Sequence, residues 1–187
     1  GAPVVFDVTH SVQKPGAAGG STGFLGGSDA ATLRRVCDAP IARIERNRGG
    51  STISFRVWFE DGSRGLFKPQ QTNSVANFRA ELAAYRLSRL LDLHRVPPAC
   101  GRTVPRTQLQ RIADGSGDAV FSERVMRELL SRGDTVPGAM LHWVPGPLEA
   151  VPDVQRWPEL LDATHTLTAE ETELAADMAR LILFDFV

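Results

Sequence analysis

The most constraining stretch of the sequence runs from Ile41 to Pro69, where apolar and polar residues alternate between turn signals. Ile53, Phe55, Val57 and Phe59 interleave with Ser54, Arg56 and Trp58, the period-two pattern of a strand with one buried face. Upstream, Ile41, Arg43 and Glu45 lead into a Gly49-Gly50 turn. Downstream, Asp61-Gly62 is the dipeptide of a two-residue hairpin turn of the primed type. Gly65-Leu66-Phe67-Lys68 continues as a third strand until Pro69 removes a ladder donor. The pattern predicts three consecutive antiparallel strands.

Beyond Pro69 the period changes. Residues 74–93 predict a helix, with Ala80, Ala83, Ala84, Leu87, Leu90 and Leu91 in one arc of about 120° expected to face the core. Glu81 lies between the edge of that stripe and the aromatic pair Phe78 and Tyr85, at a core boundary. Val96-Pro97-Pro98 ends the helix and enforces an extended segment. A second helix is expected near residues 122–131, and Gly138 to Val144 reads as a buried strand. Thr168 followed by Glu171 is a capping-box signature, with Leu174, Met178, Leu181 and Ile182 marking the helix face beyond it. Residues 13–29 are rich in Gly, Ala and Ser and read as a flexible linker, followed by a short helix from Ser28 or Asp29 to Cys37.

Composition then narrows the function. A chain of 187 residues with 42% apolar and 23% charged residues is globular rather than disordered. A net charge of -1 excludes a strongly basic nucleic-acid binder or a polybasic membrane-surface protein. No apolar run approaches the roughly 20 residues that span a bilayer. The first residues carry no visible signal peptide, although one could have been removed. The compartment stays open, leaning to the cytoplasm, with secretion as the alternative. Cys37 and Cys100 are too few for a disulfide scaffold and are expected as free thiols, with pairing the alternative. His10, His94, His142 and His165 show no zinc-binding spacing. Gly19-Gly20-Ser21-Thr22-Gly23 matches a nucleophile-elbow pattern but has no strand before it, so the linker reading prevails.

The 21 cations are 19 Arg and two Lys, so each Lys stands out. Lys14 falls in the linker, whereas Lys68 falls in a strand, and Glu81 follows 13 residues later on the next helix. A strand Lys facing a helix Glu can hold nucleotide phosphates. The ammonium neutralises phosphate oxygens, and the carboxylate orients it or helps to hold a metal. A surface Lys and a solvated Glu are the plainer alternative, and this spacing alone does not exclude it.

The wording around the pair adds to this. Leu66-Phe67-Lys68-Pro69, then Arg79 to Leu87 with Leu90-Leu91, then Val96-Pro97-Pro98 and Gly101-Arg102 together resemble the secretory-pathway atypical kinase family. That is the group of the Golgi casein kinase, the glycosaminoglycan xylosylkinase and four-jointed. The similarity is good over residues 40–110 and the last dozen residues, and thin between them. It implies an α+β fold: a protein-kinase-like small lobe followed by the beginning of a helical C-terminal lobe. The expected domains are an extension over 1–39, the small lobe over 40–144, and the hinge with the start of the second lobe over 145–187. The implied ligand is ATP with Mg or Mn. Lys68 would contact its phosphates and Glu81 would pair with Lys68 or assist the metal. The Gly49-Gly50 turn would lie over the phosphates, with a plain hairpin turn as the alternative. Leu141, His142 and Trp143 would lead to the hinge near adenine, although a core place is the preferred reading of His142.

The resemblance places the catalytic loop, with its general-base Asp, beyond Val187, and Asp185 reads as a brace for that loop. The apolar end over 181–187 points the same way, to a continuing chain or to a second chain that covers it. The whole would be a kinase, of bacterial origin, transferring phosphate to a hydroxyl of a protein or glycan, while these 187 residues alone would be inactive. The alternatives are a pseudokinase or interaction module, and a phosphatidylinositol-type or toxin-type kinase.

Overall fold

The computed structural model describes residues 29–48, 52–73, 77–91, 96–144, 162, 166–169, 171–172 and 175–176. In chain order they form α1 (Asp29–Asp38), β1 (Ile41–Arg46), β2 (Phe55–Phe59), β3 (Arg64–Pro69), α2 (Phe78–Leu90), β4 (Ala99–Pro105), α3 (Arg106–Asp114), α4 (Ala119–Glu128) and β5 (Thr135–His142). The strands make one antiparallel sheet in the order β1-β2-β3-β5-β4. The class is α+β. By compactness the chain divides into two units: residues 26–85 with 97–144, which hold the whole sheet, and residues 1–25, 86–96 and 145–187.

The alternation in the sequence becomes the two faces of this sheet. Phe55, Val57 and Phe59 of β2, Phe67 of β3 and Met140 of β5 are buried together with Val36 of α1, Leu109 of α3, and Phe121 and Val125 of α4. The other face carries Arg56, Leu66, Lys68, Ala139 and Leu141, because directly opposed residues share a face and the side-chain period is two.

Several local details differ from the expectation. The β2–β3 loop is not a two-residue primed turn. The Phe59 N–H donates to the Ser63 carbonyl at 2.9 Å and the Gly62 N–H to the Phe59 carbonyl at 3.0 Å, so three residues are enclosed. Only Gly62, at φ 79°, needs the left-handed region there, the arrangement of a type I turn closed by a bulge. Residues 53 and 54 precede β2 because Ile53 pairs with a side chain. Its N–H donates to Gln71 Oε1 at 3.0 Å, and Gln71 Nε2 donates to its carbonyl at 2.9 Å. The amide of Gln71 thus takes the place of a strand partner.

Helix α2 starts later than expected because Asn77 caps it: its Oδ1 accepts from the Arg79 N–H at 3.1 Å. Its buried face is also not the predicted stripe. Phe78, Tyr85 and Ser88 are buried, whereas Ala80 and Ala83 are exposed and Leu90 is 81% exposed. Aromatic rings remove far more apolar surface from water than alanines do, and they decide which side turns inward. Glu81 moves with them.

Strand β4 and helix α3 lay unrecognised in the extended segment after Pro98. Asp118 caps α4, accepting from the Phe121 N–H at 3.0 Å, so this helix begins ahead of the expected residue 122. Pro137 is tolerated inside β5 because the strand opposite is ending. The Pro137 carbonyl accepts from the Gln70 N–H at 2.7 Å, while the Gln70 carbonyl, which a donor at 137 would have met, accepts from the Leu130 N–H at 3.0 Å.

The cysteines are not free thiols. Cys37 at the end of α1 is disulfide-bonded to Cys100 in β4, across 63 residues, with Cα atoms 5.7 Å apart. Beside the bridge, Arg102 Nη1 donates to the carbonyls of Val36 and Ala39 at 3.2 and 2.9 Å, satisfying acceptors that the end of α1 leaves open. The Thr168–Glu171 capping box is present, with the Glu171 N–H donating to Thr168 Oγ1 at 3.2 Å and the Thr168 N–H to Glu171 Oε2 at 3.0 Å.

Candidate functional site

Strand β3 carries Lys68 on the sheet face opposite the main core, directly across from Ala139 of β5. Two devices hold that stretch of backbone. Gly138 sits where a Cβ would lie 2.5 Å from the Lys68 carbonyl oxygen and 2.6 Å from the Phe67 ring, so no larger residue fits without displacing β3. The Gln71 amide, three residues on, ties the end of β3 to Ile53 and accounts for a buried polar side chain at that position.

Helix α2 lies over this same face, and Lys68 Nζ donates to Glu81 Oε1. The side chains are 20% and 25% exposed, so the pair is partly withdrawn from water without being sealed. That combination suits an anion site. A partly desolvated ammonium interacts more strongly with phosphate than one in bulk water, and it remains within reach of a ligand. Glu81, in the first turn of α2, also complements the positive end of the helix.

The remaining expected residues divide. Leu141 is buried on the face that carries Lys68, opposite Leu66. Trp143 follows β5 with the same parity, its N–H donating to the Arg64 carbonyl at 3.1 Å. His142, paired with Gly65, falls on the face that carries Met140, because a one-residue step reverses the side of a strand. Its Nδ1 is buried without a hydrogen-bond partner, and burial, aided by the Arg35 guanidinium, holds the imidazole below its ordinary value. It therefore lies on the face opposite Lys68. Gly49, Gly50 and Asp185 lie outside the described residues.

Two residues, one on this face and one just beyond β3, escaped the sequence reading. Arg56, on β2, reads in the sequence only as a polar residue of an alternating strand. Gln71 lies just beyond the third strand and has no motif of its own. An open depression of about 430 Å³, lined by Phe78, Gly101, Arg102, Thr103, Pro137 and Gly138, does not include Lys68 or Glu81.

No group of three His, Cys, Asp or Glu side chains gathers to form a metal site among the described residues. Glu81 is the acid placed at Lys68. It fits a Mg or Mn ion that also takes phosphate oxygens, since such ions are commonly held by one or two carboxylates together with substrate phosphates. No helix among the described residues is long and apolar enough to cross a membrane.

Comparison with known proteins bears on this geometry. No family model matches the chain. Over 91 residues, 42% of its length, the chain is 31% identical to the human extracellular serine/threonine protein kinase FAM20C. The resemblance to the secretory-pathway atypical kinases holds. The chain spans only 16% of the length of that human relative. The Golgi casein kinase solved with Mn and ADP is similar at 17% identity and a TM-score of 0.49, over 63% of this chain and 35% of that one. A separate similarity is short: 23 residues, 12% of this chain, are 87% identical to 8% of the 2-dehydro-3-deoxyphosphooctonate aldolase of Leptothrix cholodnii. A segment of that length cannot enclose a core of its own.

Proposed function

We propose that this kinase-like chain is the nucleotide-binding part of an ATP-dependent phosphotransferase whose acceptor is a hydroxyl group of a protein or glycan. The observation that carries the reading is the contact of Lys68 with Glu81 between β3 and α2, in a stretch similar to an extracellular serine/threonine kinase. Lys68 donates to the nucleotide phosphates. Glu81 holds the ammonium in place and provides one carboxylate toward Mg or Mn. The ion supplies charge neutralisation at the phosphates during transfer. The general base that takes the acceptor's proton is assigned to the part of the complete protein outside these residues.

Calorimetric titration of the full chain with Mg- or Mn-ATP tests this. Lys68→Ala should weaken ATP by about ten- to hundredfold, the worth of a charge-assisted hydrogen bond. Unchanged affinity would sink the role of Lys68. ATP binding without phosphate transfer by the complete protein would favour a pseudokinase.

The Cys37–Cys100 pairing supports an oxidising compartment over the cytoplasm, where thiols are kept reduced. Protein isolated from its native source under alkylating conditions should show both cysteines protected. Two alkylated thiols would return the reading to the cytoplasm.

A further inference from the structure

We propose that the free edge of β4 is an interface between two copies of this chain, paired antiparallel about a two-fold axis at Thr103. The sheet order leaves β1 and β4 as its edges, and they are not alike. β1 carries Arg43, Glu45 and Arg46, the kind of charge that keeps an edge from pairing with another chain, whereas β4 carries Arg102 alone. Arg102 is turned away from that role, since its Nη1 donates to the carbonyls of Val36 and Ala39. The ladder fixes which groups of β4 face outward. The His142 N–H donates to the Pro98 carbonyl at 2.8 Å, and the Arg106 N–H to the Asp134 carbonyl at 2.9 Å. Even-numbered residues of β4 therefore bond to β5, while the N–H and C=O groups of Gly101 and Thr103, with the Pro105 carbonyl, point out of the sheet. These three residues are exposed, and among the described residues no backbone group pairs with them on that side.

This short edge is complementary to itself. With Thr103 on the axis, the two threonines exchange both of their N–H···O bonds, and each Gly101 falls opposite Pro105 of the second copy. Each Gly101 N–H then meets a Pro105 carbonyl. Proline has no N–H to return, so every exposed outward donor of the two edges is used, and only the Gly101 carbonyls are left to water. The side chains agree with this register. Gly101 is opposite Ala139, which is opposite Lys68, so Gly101, Thr103 and Pro105 share the Lys68 face. Pro105 of the second copy thus arrives beside Gly101, at the open depression of about 430 Å³ lined by Phe78, Gly101 and Thr103 among others. The space over Gly101 is open to receive it: among the described residues, a Cβ there would touch only Leu82 Cδ1, at 3.8 Å. On the opposite face Arg102 falls across from Val104 of the second copy, so like charges do not meet. A strand of another protein would satisfy the same backbone groups. Only a strand that lacks a donor where this one needs an acceptor alone matches the edge throughout, and β4 itself is such a strand.

The test uses the axis, which sets residue 103 against itself. Sedimentation velocity of the full chain at rising concentration should show a dimer. Thr103→Asp and Thr103→Lys should each weaken it by about tenfold or more, because like charges then meet on the axis. Mixed one to one, the two variants should regain the dimer, since Asp then faces Lys. Thr103 is exposed, so both variants should keep the wild-type unfolding midpoint when dilute. A second measurement needs no variant: in the wild type, the Gly101 and Thr103 amides should exchange more slowly with deuterium as concentration rises. A wild-type chain that stays monomeric up to about 1 mM would overturn the proposal, as would exchange at these two amides that ignores concentration. Dimers that survive both substitutions would place the contact elsewhere and overturn it too. A mixture of the two folded variants that stays monomeric would give the edge to a partner other than a second copy. Lys68 has no part in this interface, which stands or falls independently of the nucleotide reading.

Discussion

The two faces of the sheet are made from the same strands, residue by alternating residue, and they do opposite work. On one face Phe55, Phe59, Phe67 and Met140 are almost wholly withdrawn from water against α1, α3 and α4. On the other, Leu66, Ala139 and Leu141 are buried as well, but Lys68, paired with Glu81 of α2, is partly exposed and Arg56 is exposed. Neighbours in sequence such as Phe67 and Lys68 therefore belong to different functions. Binding chemistry can be mounted on a strand without weakening it, because the core needs only every second residue.

The largest expected effect breaks this division from the core side. Phe67 is fully buried, and Phe67→Ala should cost about 3–5 kcal/mol, read as a shift in the denaturant midpoint. The adjacent Lys68→Ala should change ATP affinity while its unfolding midpoint moves far less, since a partly exposed ion pair contributes little to stability. If Lys68→Ala destabilised the fold as much as Phe67→Ala, the two faces would not be separable.

A smaller effect sharpens the comparison through His142, which the strand period puts on the core face. Burial, with Arg35 beside it, lowers its folded-state value below the ordinary 6.5. Between these two values the unfolded chain binds a proton that the folded one does not. Stability from this residue is therefore fully present above 6.5 and is lost as pH falls from there through the lowered folded value. Denaturant midpoints measured across that range should fall more steeply with acid for the wild type than for His142→Phe. ATP affinity, corrected for unfolding, should show no such difference. A pH dependence of ATP binding that vanished in His142→Phe would instead move His142 to the ligand face.

Strands β1, β2, β3 and β5 and the suspicion attached to Lys68 and Glu81 were legible because each rests on a short-range pattern. Period-two alternation marks Phe55 to Phe59 without knowledge of any partner, and a Lys in an Arg-rich chain stands out by counting. The burial of α2 was misjudged for the same reason. Counting apolar positions favours the alanines, whereas the side that turns inward is decided by Phe78 and Tyr85, whose area matters only once something covers it. Strand β4 was hidden because it carries Gly101 and Arg102 in place of a clean alternation, and its ladder partners Ala139 and Gly138 lie far along the chain.

By itself, then, the sequence determined four of the five strands, the apolar set of β2, and that one strand lysine and one helix glutamate are worth pairing. Tertiary structure alone decided that this pair meets, that Cys37 finds Cys100 across 63 residues, that His142 turns away from the Lys68 face, and that Arg56 comes over Trp143. The physical reason is one of range. Backbone periodicity acts over a few residues and is written locally, whereas strand order, register and helix placement bring together residues from distant parts of the chain, and only there does the chemistry of this site exist.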